Sequence, residues 1–374
     1  VIDDSRSLDR LQRGQWDAAD VTPPPPDSTG TAYAEHVRQL ADTPARFNAD
    51  PTFLHEASGC AGKLMVFAVR TRTFPFEADK ATFYIGADDP ADLEGLRRAF
   101  LAADGPLPIS GEYLSAHAVD LALTYGKDTY VSLKHAGSRT LVRMFALKSW
   151  ANGVFAKVPG LGPSVADAIS QKLFALVPGK IPPRLVEFRD RFAHHLLLVV
   201  SGSQRDATAQ LLEKFFAAPE HEGGFFECEA DEAESATLIR FGVASAASRY
   251  FVMHRAEASA MITFDVALRR DDTDWLEVLP PQIADQLLES VYFGHFFCHV
   301  LHQDHVAKQG VDPVALKQEM TALLQSRGAA VPAEHNVGRI YSAPEPMVEH
   351  FRQLDPLNMF NAGVGQTSPR KRWA

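Results

Sequence analysis

The chain has 374 residues, a length suited to two or three structural units. Hydrophobic residues make up 46% and charged residues 22%, which excludes a disordered or collagen-like chain and leaves ample apolar material for a core. The 37 Lys+Arg against 47 Asp+Glu give a net charge of −10, which argues against a nucleic-acid partner. The charge is unevenly spread: the stretch from Lys127 to Arg191 carries a net +7, so the remainder carries −17.

In chain order, residues 1–50 read as polar and irregular, with Pro23 to Pro26 as a stiff extended segment. Residues 63–71 (KLMVFAVRT) and 81–86 (ATFYIG) read as strands, and residues 90–103 as a helix opened by Asp88-Asp89-Pro90. After the basic stretch, a strand is expected at 194–200, a helix at about 205–218 and a strand at 224–229. A helix at about 230–247 and a strand at 260–268 follow. A helix at about 281–291 then leads into an apolar strand from Gly294 to His305, and a last helix spans 312–328. This order predicts an α+β fold, with helices packed on one face of a sheet.

The three cysteines, Cys60, Cys228 and Cys298, are far apart and form no CxxC pair, so a disulfide framework is not expected and a reducing compartment is. No run approaches the ~20 apolar residues that span a bilayer. The opening at Val1, without Met or a signal-peptide pattern, leads to the expectation that the chain begins inside a larger protein.

Three local patterns carry chemistry. In Ser58-Gly59-Cys60-Ala61-Gly62-Lys63, two glycines before an apolar segment allow close backbone approach to a ligand, or simply a tight turn. From Gly294 to His305, four histidines and Asp304 fall within twelve residues. Strand alternation puts His302 and Asp304 on one face, whereas His295 faces the other way unless the chain bends or bulges. Imidazoles with a carboxylate suit a zinc-like divalent ion, and a half-buried strand with solvated histidines is the alternative. The Glu334-His335 pair lies in a turn-rich loop after a helix; it suits a charge partner next to a proton acceptor, or an exposed turn. The tail, with Asn358, Asn361, Gly363 and a basic run from Arg370, says little by itself.

Taken together, the segments DTPARFNADP at 42–51, SGCAGKLMVFAVR at 58–70, YFGHFFCHVLHQDH at 292–305 and AEHNVGRIY at 333–341 resemble those of the quinone-dependent, FAD-containing respiratory D-lactate dehydrogenases of bacteria. These are vanillyl-alcohol-oxidase-type flavoproteins. The resemblance runs from about Asp42 to Trp373. It implies the end of an FAD-binding domain over 1–70, with its C-terminal return at 331–374. It implies an α+β cap or substrate domain over 71–126 and 192–330, with a basic membrane-binding segment at 127–191 inserted in it. Gly59, Cys60, Gly62, Val66 and Asn361 are the implied FAD contacts. His295, His302 and Glu334 are the implied ligands of a zinc-like metal, with Asp304 in place of a common Asn. His335 is the implied base. The phosphate-cradling loop expected of this flavin fold is absent, so weak FAD binding by the chain alone is expected.

The implied reaction is oxidation of D-lactate to pyruvate, with hydride moving to FAD and electrons to a membrane quinone. Related activities on 2-hydroxyglutarate or glycolate, or lipid binding without catalysis, are the alternatives. A substrate carboxylate needs a cation, and Arg269 and Arg270, at the end of the 260–268 strand, are candidates. The +7 segment with Phe145, Trp150, Phe155, Leu161, Phe174 and Leu176 suits an anionic phospholipid surface. It fits a peripheral protein on the cytoplasmic face of a bacterial inner membrane.

Overall fold

The computed structural model describes residues 5–15, 31–48, 50–67, 69, 76–134, 146, 149–150, 153, 165–176, 180–333 and 341–374. The chain forms two compact units: Val1–His36, Arg46–Pro75 and Pro332–Ala374 make one, Val37–Ala45 and Phe76–Val331 the other.

The larger unit is built on a seven-stranded sheet. Its strands are β1 (Lys80–Ala87), β2 (Ser110–Ser115), β3 (His194–Ser201), β4 (Gly223–Glu227), β5 (Ala258–Ala267), β6 (Leu287–His295) and β7 (Val300–Lys308). They lie in the order β4-β1-β3-β2-β6-β7-β5, each neighbouring pair antiparallel.

β1 and β3 read as nearly continuous apolar runs because both of their faces are covered. Tyr84 packs with Leu114, Leu197 and Phe226 beneath the helices Ala116–Tyr125, Pro183–Arg191 and Ala230–Met253. Its neighbours Phe83 and Ile85 are fully buried on the opposite face. There Phe83 meets Phe225, Phe225 meets Phe216, and the helices Pro90–Ala102 and Arg205–Phe216 contact the strands. The expectation of helices on one face is therefore corrected: the sheet is sandwiched. Each fully buried Leu or Phe contributes about 1.5–3 kcal/mol.

Local chemistry fixes the helix ends. Asp89 accepts from the Ala91 amide at 2.8 Å with Pro90 in the first turn. Asp312 does the same for Val314 at 2.9 Å ahead of Pro313. The long helix Ala230–Met253 opens with a capping box between Glu229 and Glu232.

Other expectations change. Residues 1–50 contain the helices Ser5–Gln12 and Thr31–Arg38, while Pro23 to Pro26 lie outside the described residues. Residues 63–67 form bends and irregular backbone rather than a strand. The helix expected at 281–291 is one turn, Pro281–Ala284, and β6 occupies the remainder. The alternation in LLESVYFGH, with Leu287, Val291 and Phe293 buried, is a strand period rather than a helical one.

Candidate functional site

The single strand expected from Gly294 to His305 is a hairpin. β6 ends at His295, residues 296–299 turn, and β7 begins at Val300. His299 supplies the turn's left-handed backbone, at φ 50°, a conformation more often given to Gly or Asn. The hairpin register pairs His295 with Val300 and Phe293 with His302. Residues paired across an antiparallel ladder share a face, so His295 and His302 come to the same side, their ring centroids 5.4 Å apart.

Each imidazole is oriented by a carboxylate from a neighbouring strand. His295 Nδ1 lies 3.0 Å from Glu112 Oε1 on β2, and His302 Nδ1 lies 2.6 Å from Asp265 Oδ1 on β5. This leaves both Nε2 atoms without a hydrogen-bond partner among the described residues. The other Glu112 oxygen accepts from Arg240 Nε at 2.8 Å. Burial opposes ionisation of Glu112, but the His295 hydrogen bond and the charges of Arg240 and His295 outweigh it and hold its carboxyl below the usual range. Asp304 shares the face with His302; burial and the charge of Asp265 push its carboxyl up to about 7.

On the opposite face, His299 is fully buried, with Nε2 3.2 Å from Glu94 Oε2. Glu94 also pairs with Arg97 and Arg98, while Arg97 Nε donates to the Phe297 carbonyl at 3.2 Å. This buried network grips both the turn and the helix Pro90–Ala102.

Among the described residues, no group of three or more His, Cys, Asp or Glu is placed to hold a metal ion. Glu334, the third ligand expected with His295 and His302, and His335, the expected base, lie outside the described residues. The zinc-like ion is thus unsupported among the described residues. Arg270 is nearly buried; its Nε donates to the Thr43 carbonyl at 3.0 Å and a terminal nitrogen to Thr43 Oγ1 at 2.9 Å. Its guanidinium is turned to the 41–45 segment, and Arg269 pairs with Asp271 at 3.1 Å. Glu112, Asp265 and Arg240 were not legible in the sequence: each lies far along the chain from the histidines, in no motif.

In the smaller unit the glycine loop meets the C-terminal segment. Gly59 and Gly62 have φ of 70° and 80°, backbone that favours glycine. A Cβ on Gly59 would fall 2.4 Å from Leu54 Cδ2. Asn361 Nδ2 donates to the Ala61 carbonyl at 2.8 Å, so Asn361 and the loop carrying Gly59, Cys60 and Gly62 are brought together. Lys63 is fully buried, donating to Asn358 Oδ1 at 2.6 Å and to the Phe360 carbonyl at 3.0 Å, with Trp373 4.4 Å away over its ammonium. Burial lowers its pKa, partly offset by Asp355. Beyond the loop, Met65, Val66 and Phe67 are exposed.

Of the basic stretch, little beyond its edges is described. The helix Val165–Ala175 is tied to the body by Gln171 Nε2, which donates to the Thr124 carbonyl at 2.7 Å, and by Ser170 to Asp128 at 3.3 Å. Its other side shows Ile169, Leu173 and, one residue past its end, Leu176, at helical spacing and 46%, 59% and 82% exposed. Trp150 is also exposed, while Phe145, Phe155 and Leu161 lie outside the described residues. Among the described residues no helix is long and apolar enough to cross a membrane.

An antiparallel sheet carrying paired, carboxylate-bound histidines, with an exposed apolar helix on the same unit, defines a mixed helix–strand protein with both a polar site and an apolar surface. The family model "D-lactate dehydrogenase, membrane binding" matches residues 82–373, and the chain belongs to this family. It is 59% identical over 98% of its length to the quinone-dependent D-lactate dehydrogenase of Corynebacterium glutamicum, covering 64% of that protein. It is 43% identical, again over 98% of its length, to the enzyme of the same description from Haemophilus influenzae, covering 65% of it. The chain thus spans just under two thirds of the length of these relatives. Among solved structures it is similar to a 4-ethylphenol oxidase from Gulosibacter chungangensis, at 14% identity and a TM-score of 0.42, over 79% of this chain and 55% of that one.

Proposed function

We propose that this chain works in a peripheral membrane flavoenzyme that oxidises D-lactate to pyruvate and passes the electrons to a membrane quinone. The observation that carries the reading is the His295–His302 pair, oriented by Glu112 and Asp265, on a sheet whose family is named for D-lactate dehydrogenase and membrane binding. The relatives are quinone-dependent D-lactate dehydrogenases, which supports the substrate and the acceptor.

In this reading residues 1–70 and 331–374 belong to a vanillyl-alcohol-oxidase-type flavin domain, and 71–126 with 192–330 to the substrate domain. FAD, held by the Gly59–Gly62 loop, Val66 and Asn361, supplies the acceptor for the hydride on C2. The lactate hydroxyl must lose its proton as that hydride leaves, and His335 takes it, because a neutral imidazole is the side chain best poised near neutral pH. His295 and His302, each with Nδ1 committed to a carboxylate, present Nε2 to the substrate's polar groups. The segment 127–191 rests on the anionic lipid of the cytoplasmic face of the inner membrane, where quinone is at hand.

The test is stopped-flow reduction, by D-lactate, of the full-length enzyme loaded with FAD. Rapid bleaching of the flavin is expected, and His335→Ala should slow it by 100-fold or more (~10²–10⁴ for loss of a general base). Bleaching by 2-hydroxyglutarate or glycolate but not D-lactate would move the substrate, and a near-normal trace with His335→Ala would remove that residue from the base role.

A further inference from the structure

We infer that Arg240 is the residue that takes the carboxylate of the 2-hydroxy acid, and that Glu112 is the positioning residue that sets it beside the histidines. This rests on the reading of the His295–His302 face as the substrate site.

Arg240 projects from the helix Ala230–Met253 with a side chain only 13% exposed. Two contacts fix its guanidinium. Nε donates to Glu112 Oε2 at 2.8 Å, and the guanidinium carbon lies 4.7 Å from the centroid of the Phe293 ring. The remaining Nη1 and Nη2 groups make no hydrogen bond among the described residues. The four N–H groups they carry are therefore open to a ligand. Its planar fork matches a carboxylate in bidentate geometry, which an ammonium does not.

The surroundings say which carboxylate. Glu112 uses its second oxygen on His295 Nδ1, so one side chain fixes both the cation and an imidazole. Phe293 lies against Arg240 and also 5.0 Å from the His302 ring. The cationic fork and the His302 imidazole therefore flank one aromatic ring, and the His295 imidazole lies 5.4 Å from that of His302. This is what a small acid with a hydroxyl near its carboxylate requires. Arg270 is committed to Thr43 through Nε and a terminal nitrogen, and Arg269 lies against Asp271 at 3.1 Å.

The experiment compares D-lactate with its uncharged methyl ester as reductants of the full-length enzyme loaded with FAD. Arg240→Gln should lower kcat/KM for D-lactate by about 10–100-fold, the size of a lost charged hydrogen bond, mainly through KM, and change the ester's value by less than about twofold. Arg240→Lys, which keeps charge and stem, should recover part of the loss for lactate. An equal fall for acid and ester, or no fall, would overturn the assignment. Calorimetric titration of the chain with oxalate needs no turnover: binding weakened at least about tenfold in Arg240→Gln supports it, and equal binding or none by the wild type overturns it. If the wild type fails to oxidise D-lactate yet shows Arg240-dependent oxalate binding, the function proposed above fails and the carboxylate site stands.

Discussion

Lys63 and Asn358 are 295 positions apart in sequence, yet the lysine ammonium donates to the asparagine carbonyl oxygen at 2.6 Å in a fully buried contact. Asn358 completes its bonding through Nδ2, which donates to the carbonyls of Ser368 at 2.8 Å and Arg370 at 2.7 Å. The side chain of one residue therefore ties the glycine loop to the C-terminal turns. Replacing Lys63 by Met keeps the stem but leaves Asn358 Oδ1 and the Phe360 carbonyl short of a donor. A loss of about 1–3 kcal/mol is expected, measured as a lower urea midpoint. An unchanged midpoint would show that water replaces the ammonium without cost.

The Glu94–Arg97–His299 network makes a sharper prediction. The side chains of Glu94 and Arg97 are 4% and 0% exposed, and the net effect of its partners holds the Glu94 carboxyl ionised despite its burial. Glu94→Ala strands a buried guanidinium and removes the anchor of the His299 turn. A destabilisation of about 3–5 kcal/mol is expected. Thermal unfolding checks it; a loss below ~1 kcal/mol would mean that Arg97 is satisfied by the Phe297 and Arg270 carbonyls alone.

Acid sensitivity should follow from buried histidines. Burial, with His194 alongside, pushes His195 down to about 4, and burial pushes His305 down to about 3. Both are neutral in the fold, whereas in the unfolded chain they protonate near 6.5. The unfolded state therefore binds more protons below pH 6.5, so stability is full above that pH and falls progressively toward pH 4. For His195 the loss by pH 4 is on the order of 3 kcal/mol. Melting temperatures between pH 7.5 and 4.5 should decline, and His195→Leu should flatten the slope. Parallel slopes for the two proteins would show that His195 stays neutral in the unfolded chain or charges freely in the folded one.

For the membrane, Leu173→Glu with Leu176→Glu should weaken binding to vesicles containing phosphatidylglycerol at least about tenfold. The double change removes exposed apolar surface and adds charge repelled by the lipid. Cosedimentation in low salt measures it. Equal pelleting of mutant and parent would place the contact elsewhere.

The sequence pattern was informative where local chemistry decides. Asp89-Pro90 and Asp312-Pro313 marked helix starts because the caps are made by adjacent side chains. The 194–200 and 260–268 runs were strands because their apolar content suits nothing else. The His295 hairpin was hidden because its turn contains neither Gly nor Pro: the fully buried His299 adopts the positive φ. Residues 63–67 looked like part of a strand by composition, but ladder pairing is a property of neighbours, not of composition. Glu112, Asp265 and Arg240 reach the histidines only through strand pairing and a helix laid across the sheet, which no spacing along the chain records.

The Lys63–Asn358 tie has a consequence for the order of events at the ribosome. A chain emerging from its N-terminus delivers residues 76–331, nearly the whole sheet unit, before Asn358 or Phe360 exists. The glycine loop must therefore wait, with Lys63 unpartnered, while the larger unit is free to collapse first. A ribosome stalled between 331 and 358 should hold a protease-resistant sheet unit and a protease-sensitive glycine loop.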